Sequence, residues 1–136
     1  MSDAERIASF IALAEEELSA ARLLMSGAPR QAAYFVQQAA EKATRAVLTA
    51  AGVPFGTSHN LGQMAAALPP AHPMRMTINA LDKYSSAATR YRYPSPAGRL
   101  ANAPKSEEVA SAIDEVAAFI VQVKDYFRAI ALRPDR

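Results

Sequence analysis

Val109, Ile113, Val116, Ile120, Val123, Phe127 and Ile130 recur in alternating steps of four and three. That is the a/d repeat of a coiled-coil seam, and a helix gathers such positions onto one stripe. A strand would scatter them over both of its faces, because its side chains alternate with a period of two. Ser106-Glu107-Glu108 stands just ahead of the repeat, with a hydroxyl suited to capping and acids at the positive end of the helix dipole. A long helix with one apolar stripe has to lie lengthwise against other helices. The chain is therefore constrained toward a bundle from its C-terminal end backward.

The rest of the chain agrees. Ser2-Asp3-Ala4-Glu5 has the spacing of a capping box. Ile7, Phe10, Ile11, Ala14, Leu18, Ala21 and Met25 then repeat at helical intervals. Gly27 is expected to end that helix, and Pro29 suits the first turn of the next. The second helix is expected to run to about Ala51, stopped by Gly52. After a loop, VPFGTSHN, a short helix from about Leu61 to Leu68 ends at Pro69-Pro70. A fourth helix is expected over Met74 to Ala88. Residues 90–105 carry three prolines and a glycine and read as irregular. No strand-like alternation stands out, and there is no internal repeat. The expectation is an all-α, antiparallel up-and-down bundle of four to five helices, one domain over residues 1–136. A chain of 136 residues is long enough for that, since domains of about this size bury roughly two-thirds of their unfolded surface.

The second helix has two contrasting sides. Val36, Ala39, Ala40, Ala43, Val47 and Ala50 share one face, and small side chains there let a neighbouring helix come close. Tyr34, Gln38, Glu41 and Arg45 lie opposite, flanked by Gln37 and Lys42. Two readings stand side by side. Open to water, the face is solvated surface. Beside a groove, Gln38 would read an amide or a base edge, Lys42 and Arg45 would neutralise phosphate, and Glu41 would orient Arg45.

There are no cysteines, so disulfides, thiolate metal sites and thiol nucleophiles are excluded. MSDAERIASF places acids where a signal peptide needs a basic region, and no window approaches the ~18 consecutive apolar residues of a membrane span. The expectation is a cytoplasmic protein that does not enter a membrane. The net charge of +2 is unevenly spread. Residues 1–41 hold three Arg against six acids; residues 42–105 hold eight Lys or Arg against Asp82 alone; residues 106–136 hold four basic residues against six acids. A basic middle attracts phosphates or acidic partners, unless the acidic helices neutralise it within the fold.

Tyr84, Arg90, Tyr91, Arg92 and Tyr93 interleave basic and aromatic side chains, stiffened by Pro94 and Pro96. Such a mixture holds phosphates and stacks bases. It serves equally at a subunit contact, where Arg and Tyr are enriched. His59, between a loop and a short helix, is suited to bonding a helix end or a buried polar group, with ligand contact as the alternative. No second His or carboxylate sits beside it at metal-ligand spacing, so no metal and no cofactor are expected.

YFVQQAAEKATRAVLTAAG, then SHNL, then YRYP together resemble the HEPN family, the higher eukaryote and prokaryote nucleotide-binding domain. The matching positions are Tyr34, Phe35, Gln37, Gln38, Ala39, Glu41, Lys42, Ala43, Gly52, His59, Leu61, Leu68, Arg92, Tyr93 and Pro94. The resemblance covers roughly residues 5–130, with its specific part in 33–94, and it implies a helical bundle. Many HEPN proteins are ribonucleases with an Arg followed, four to six residues on, by a His. Here the nearest Arg before His59 or His72 is Arg45, too distant from both, so that motif is absent. The chain looks most like the small branch without it, whose members resemble the helical domain of aminoglycoside nucleotidyltransferases. Many of those pair with a separate minimal nucleotidyltransferase, with nucleotide-binding or toxin–antitoxin roles suggested for them. This chain has neither the Gly-Ser motif with paired Asp residues nor a Gly-rich phosphate loop.

The resemblance thus implies a non-catalytic domain that binds a nucleotide-like ligand or serves a nucleotidyltransferase as partner subunit, self-associating as a homodimer. Its ligand residues would be Tyr34, Gln38, Glu41, Lys42, Arg45, His59, Arg90, Arg92 and Tyr93. Two rivals remain. One is a metal-independent ribonuclease using Arg90 or Arg92 with a tyrosine, and RNA as ligand. The other is a module that only binds protein.

Overall fold

The computed structural model describes residues 3–131, and its helices are α1 (Asp3–Leu24), α2 (Pro29–Ala50), α3 (Leu61–Ala67), α4 (Arg75–Ala80), α5 (Ala87–Arg90) and α6 (Ser106–Ala131). A single 3-10 turn, Leu81–Tyr84, joins α4 toward α5. Ser2 of the expected capping box lies outside the described residues.

Contacts along the helices fix their directions. Ser106, at the start of α6, bonds the carbonyl of Met25 beyond the end of α1, and Lys124 pairs with Glu15 further down both helices. So α6 runs against α1. His72 meets Tyr126 near the far end of α6, whereas Ala87 shares a cleft with Val36 and Val109 at its near end. The run 75–90 therefore climbs while α2 and α6 descend. The arrangement is up-down-up-down, with 75–90 as an interrupted third member and α3 an accessory turn beneath it. Counted this way there are five helical segments among the described residues.

The core follows from the expected stripes. Val109, Ile113, Val116, Ile120 and Val123 of α6 are buried around Phe119. Ala14 and Ala21 of α1 and Ala39, Ala40 and Ala43 of α2 have no exposed surface, so two alanine faces meet directly. The C-terminus of α2 closes with Gly52 at φ +69, a backbone that side-chain-bearing residues rarely adopt. Its N–H donates to the Thr49 carbonyl and that of Val53 to Leu48, the paired bonds of a Schellman end.

Three expectations are corrected. Ala50 is exposed, not part of the core face. α1 stops at Leu24, before Gly27, which is not left-handed. The single helix expected over 74–88 is broken at 81–86, and the reason lies in α3. The first N–H groups of a helix have no partner within it. Leu61 N–H donates to Ser85 Oγ, Gly62 N–H to Asp82 Oδ1 and Gln63 N–H to the Asn60 side chain. Asp82 also accepts from the Ser85 hydroxyl. Asp and Ser favour such bonds over a regular helix. The backbone tightens at 81–86 and delivers both side chains to α3.

Gly62 is required by this cap: a methyl carbon there would lie 2.9–3.0 Å from the Asp82 carboxylate. Gly62→Ala is expected to lower stability by about 1 kcal/mol, the displaced bonds outweighing the helix propensity gained. Gly56→Ala, with open space around it, should change it by less than about 0.5 kcal/mol. Urea unfolding of the two variants checks this, and equal midpoints would show that the Asp82 cap carries no weight.

Candidate functional site

The polar side of α2 is neither solvated surface nor the wall of an open groove. Loop 53–60 and α1 cover it. Glu41 sits at the centre with its side chain only 4% exposed. Its Oε1 accepts from Gln37 Nε2 at 3.2 Å and lies 2.5 Å from His59 Nδ1; its Oε2 accepts from Arg45 Nε at 3.0 Å. Arg45 then donates through Nη1 to the Gly56 carbonyl and through Nη2 to Ser58, while its guanidinium lies over the Phe55 ring. Gln37 also donates to the His59 carbonyl. On the other side, Gln38 donates to Gln37, and Lys42 donates to both Gln38 and Glu17. One hydrogen-bonded chain runs from Glu17 through Lys42, Gln38 and Gln37 to Glu41, Arg45 and His59.

Burial pushes the Glu41 carboxyl up, but the bonds from His59 and Gln37 and the charge of Arg45 outweigh it and hold the group below its ordinary value. An ionised carboxylate only accepts, so His59 carries its proton on Nδ1. The His59 side chain is 55% exposed. The open groove beyond it, about 480 Å³, is lined by Ser58, Asn60, Asp82, Ser85, Ser86, Ala88 and Thr89.

The expected site residues divide into two groups. Gln38, Glu41, Lys42, Arg45 and His59 form the network just described. Tyr34 leaves it and joins Arg92. The Arg92 guanidinium stacks 4.6 Å from the Tyr34 ring centre and 5.3 Å from that of Tyr93, and Nη1 donates to the Tyr34 hydroxyl at 3.2 Å. Arg90 stacks on Tyr91 and bonds its hydroxyl. Segment 91–105 is irregular yet tied down. Ser95 and Arg99 exchange bonds around Gly98, at φ +78, and Arg30 donates to the Ala101 carbonyl.

Around α5 the surface is basic. Lys42, Arg45 and Lys83 pair with Glu17, Glu41 and Glu115. Arg90, Arg92 and Arg99 have no carboxylate partner among the described residues, and all three are exposed. A shallow groove of about 470 Å³ runs between Thr89, Arg90, Tyr93 and Arg99. The acidic helices thus neutralise only part of the basic middle. Sequence reasoning missed Arg99, Glu17 and Phe55, whose roles come from contacts across the fold. No group of His, Cys, Asp or Glu among the described residues is placed to hold a metal ion, and none of their helices is long and apolar enough to cross a membrane.

The folded-state value of Glu41 lies below its unfolded one, so its stabilising contribution is present above about pH 4.5 and lost as the pH falls through the folded value. Glu41→Ala leaves the Arg45 charge without its carboxylate, although its bonds to the Gly56 and Ser58 carbonyls remain, and is expected to cost about 3 kcal/mol. His59→Ala, removing the half-exposed partner, should cost about 1 kcal/mol or less. Chemical denaturation between pH 3 and pH 7 reads both, and a Glu41→Ala chain as stable as the parent would contradict the clamp.

The family model of the HEPN domain matches residues 7–126. No curated protein and no solved structure matches the chain. The matched span holds the whole α2 network and the Arg-Tyr ridge, and the observed all-helical bundle is the fold that the YFVQQAAEK, SHNL and YRYP segments imply. The chain belongs to the HEPN domain family.

Proposed function

We propose that this chain acts as one domain that binds a nucleotide or nucleotide-like anion without chemistry of its own, and that the ligand's phosphate lies on the ridge formed by α5 and segment 91–99. The observation that supports this reading is the uncommitted charge. Arg90, Arg92 and Arg99 lie among Tyr34, Tyr91 and Tyr93, and none of the three is ion-paired to a carboxylate among the described residues. Exposed guanidinium groups suit phosphate, and exposed aromatic faces suit a base. Glu41 and Arg45 support it from behind, since they fasten loop 53–60 along α2, the helix on which α5 packs.

The same surface suits a second copy of the chain or a minimal nucleotidyltransferase, within a toxin–antitoxin pair or outside one. Tyr93 and Leu100 are exposed apolar groups beside the arginines, and interfaces favour that mixture. Binding by such a partner and binding of a nucleotide are compatible if the ligand is shared between them.

His59 supports a second reading, a metal-independent ribonuclease. It lines a groove that shares Ser86 and Thr89 with the arginine groove. An imidazole oriented by a carboxylate has the geometry of a general base, and Arg92 would stabilise charge on the phosphate.

A nucleoside triphosphate is expected to raise the Tm of the parent chain, and the double change Arg90→Ala, Arg99→Ala to reduce the shift by at least half. Binding should weaken steeply with added salt, since phosphate contacts release counterions. No Tm shift at millimolar ligand would remove the nucleotide reading. RNA cleavage that survives a chelator and is lost in His59→Ala would replace it with the second one.

A further inference from the structure

Behind α5 lies a cavity that the ridge alone does not explain. It is a slot of about 230 Å³ between α2, α5 and α6. Its floor is apolar: Ala33 and Val36 from α2, Ala87 from α5, Val109 and Ala112 from α6. Three alanines converge at this level, where larger side chains would have closed the gap. The volume is below the roughly 300–1,000 Å³ of pockets that take whole drug-sized ligands. It suits a single flat ring system.

The rim is polar and divided. Lys83 and Tyr84 both bond Glu115, at 3.0 and 2.5 Å, so each is already engaged. Arg90 on α5 and Glu108 on α6 remain, with no ion-pair partner among the described residues. Arg90 and Ser86 line both this slot and the groove that holds Arg99. The slot and the basic groove are therefore neighbours, with the Arg90 side chain as a shared wall. Glu108 repels an anion from the α6 side and accepts hydrogen bonds from an amine.

We infer that the slot is the base subsite of the ridge, taking an amine-bearing heteroaromatic ring whose phosphate passes around Arg90 toward Arg99. The inference rests on the phosphate-binding reading above and adds to it where the ring goes. A ligand of this shape satisfies both halves of the cavity at once. The ring covers the apolar floor, its exocyclic amine donates to Glu108, and the anion reaches the two arginines. Pyrophosphate engages the arginines alone.

Methyl and arginine side-chain NMR of the intact protein, titrated separately with AMP and with pyrophosphate, tests this directly. AMP is expected to shift the Val36 and Val109 methyl signals through its ring current, and pyrophosphate to leave them in place. Both should move the Arg90 and Arg99 signals. Ala33→Leu, which narrows the slot from its half-buried edge, should weaken AMP at least about tenfold while leaving pyrophosphate within about twofold. Arginine shifts with AMP but silent valine methyls would overturn the slot and leave the ridge standing. Silence of the arginines toward both probes would remove the ridge reading, and the slot with it.

Discussion

A carboxylate buried inside a helical bundle costs several kcal/mol unless it is fully met by partners. Glu41 is met by Gln37, Arg45 and His59, and much of the molecule follows from that requirement. Arg45 compensates the charge and in doing so grips the carbonyls of Gly56 and Ser58. Loop 53–60 is thereby fastened along α2, although it has little apolar surface of its own beyond Val53 and Phe55. The loop's end sets where α3 begins. The exposed N–H groups of α3 then draw in Asp82 and Ser85. Their turn breaks the third helix and leaves α5 as a separate short piece bearing Arg90. A buried ion pair in one helix thus has consequences for a surface ridge contributed by another.

The alanine side of α2 works with this. Close approach of α1 and α2 leaves no room for large side chains between them, but it brings Glu17 within reach of Lys42 at 2.9 Å. The polar chain from Glu17 to His59 is possible only at that spacing. Thr44 and Thr49 also turn inward, each donating to the carbonyl four residues earlier, so their hydroxyls are satisfied without solvent. The helix is buried on nearly every side, and its polar residues are chosen to answer one another.

The α6 seam was legible because its period is long and unmixed, from Val109 to Val123. So was the alanine face, apart from Ala50, which is exposed at the last position of the helix. The break at 81–86 was not legible. Helical periodicity reports which side of a segment is apolar, and Ile78, Leu81 and Ala88 fit a continuous helix as well as a broken one. Only the position of α3 shows why Asp82 and Ser85 are needed elsewhere. His59 was half legible: bonding a buried polar group was one of its two readings, but nothing in the chain shows that the group is Glu41, eighteen positions away. Tyr34 misled for a similar reason. It shares a helical face with Gln38 and Glu41, yet Arg92 pulls its ring to the other cluster.

The separation of committed from uncommitted charge decides where recognition belongs. Every cation of the α2 network already faces a carboxylate and sits in restricted solvent, so a phosphate arriving there would have to break bonds worth several kcal/mol before making its own. On the ridge the balance is opposite. Arg90 and Arg92 lie against tyrosine rings, contacts that neutralise no charge, and Arg99 is held out on a closed turn. An anion approaching them has no ion pair to break, only water and the bonds to the Tyr91 and Tyr34 hydroxyls to compete with. Stacking even favours it, because a guanidinium resting on an aromatic face has lost part of its conformational freedom before the ligand arrives. The acidic residues of α1 and α6 form no ion pair with Arg90, Arg92 or Arg99 among the described residues, and the slot behind Arg90 offers a ring an apolar surface within reach of that charge.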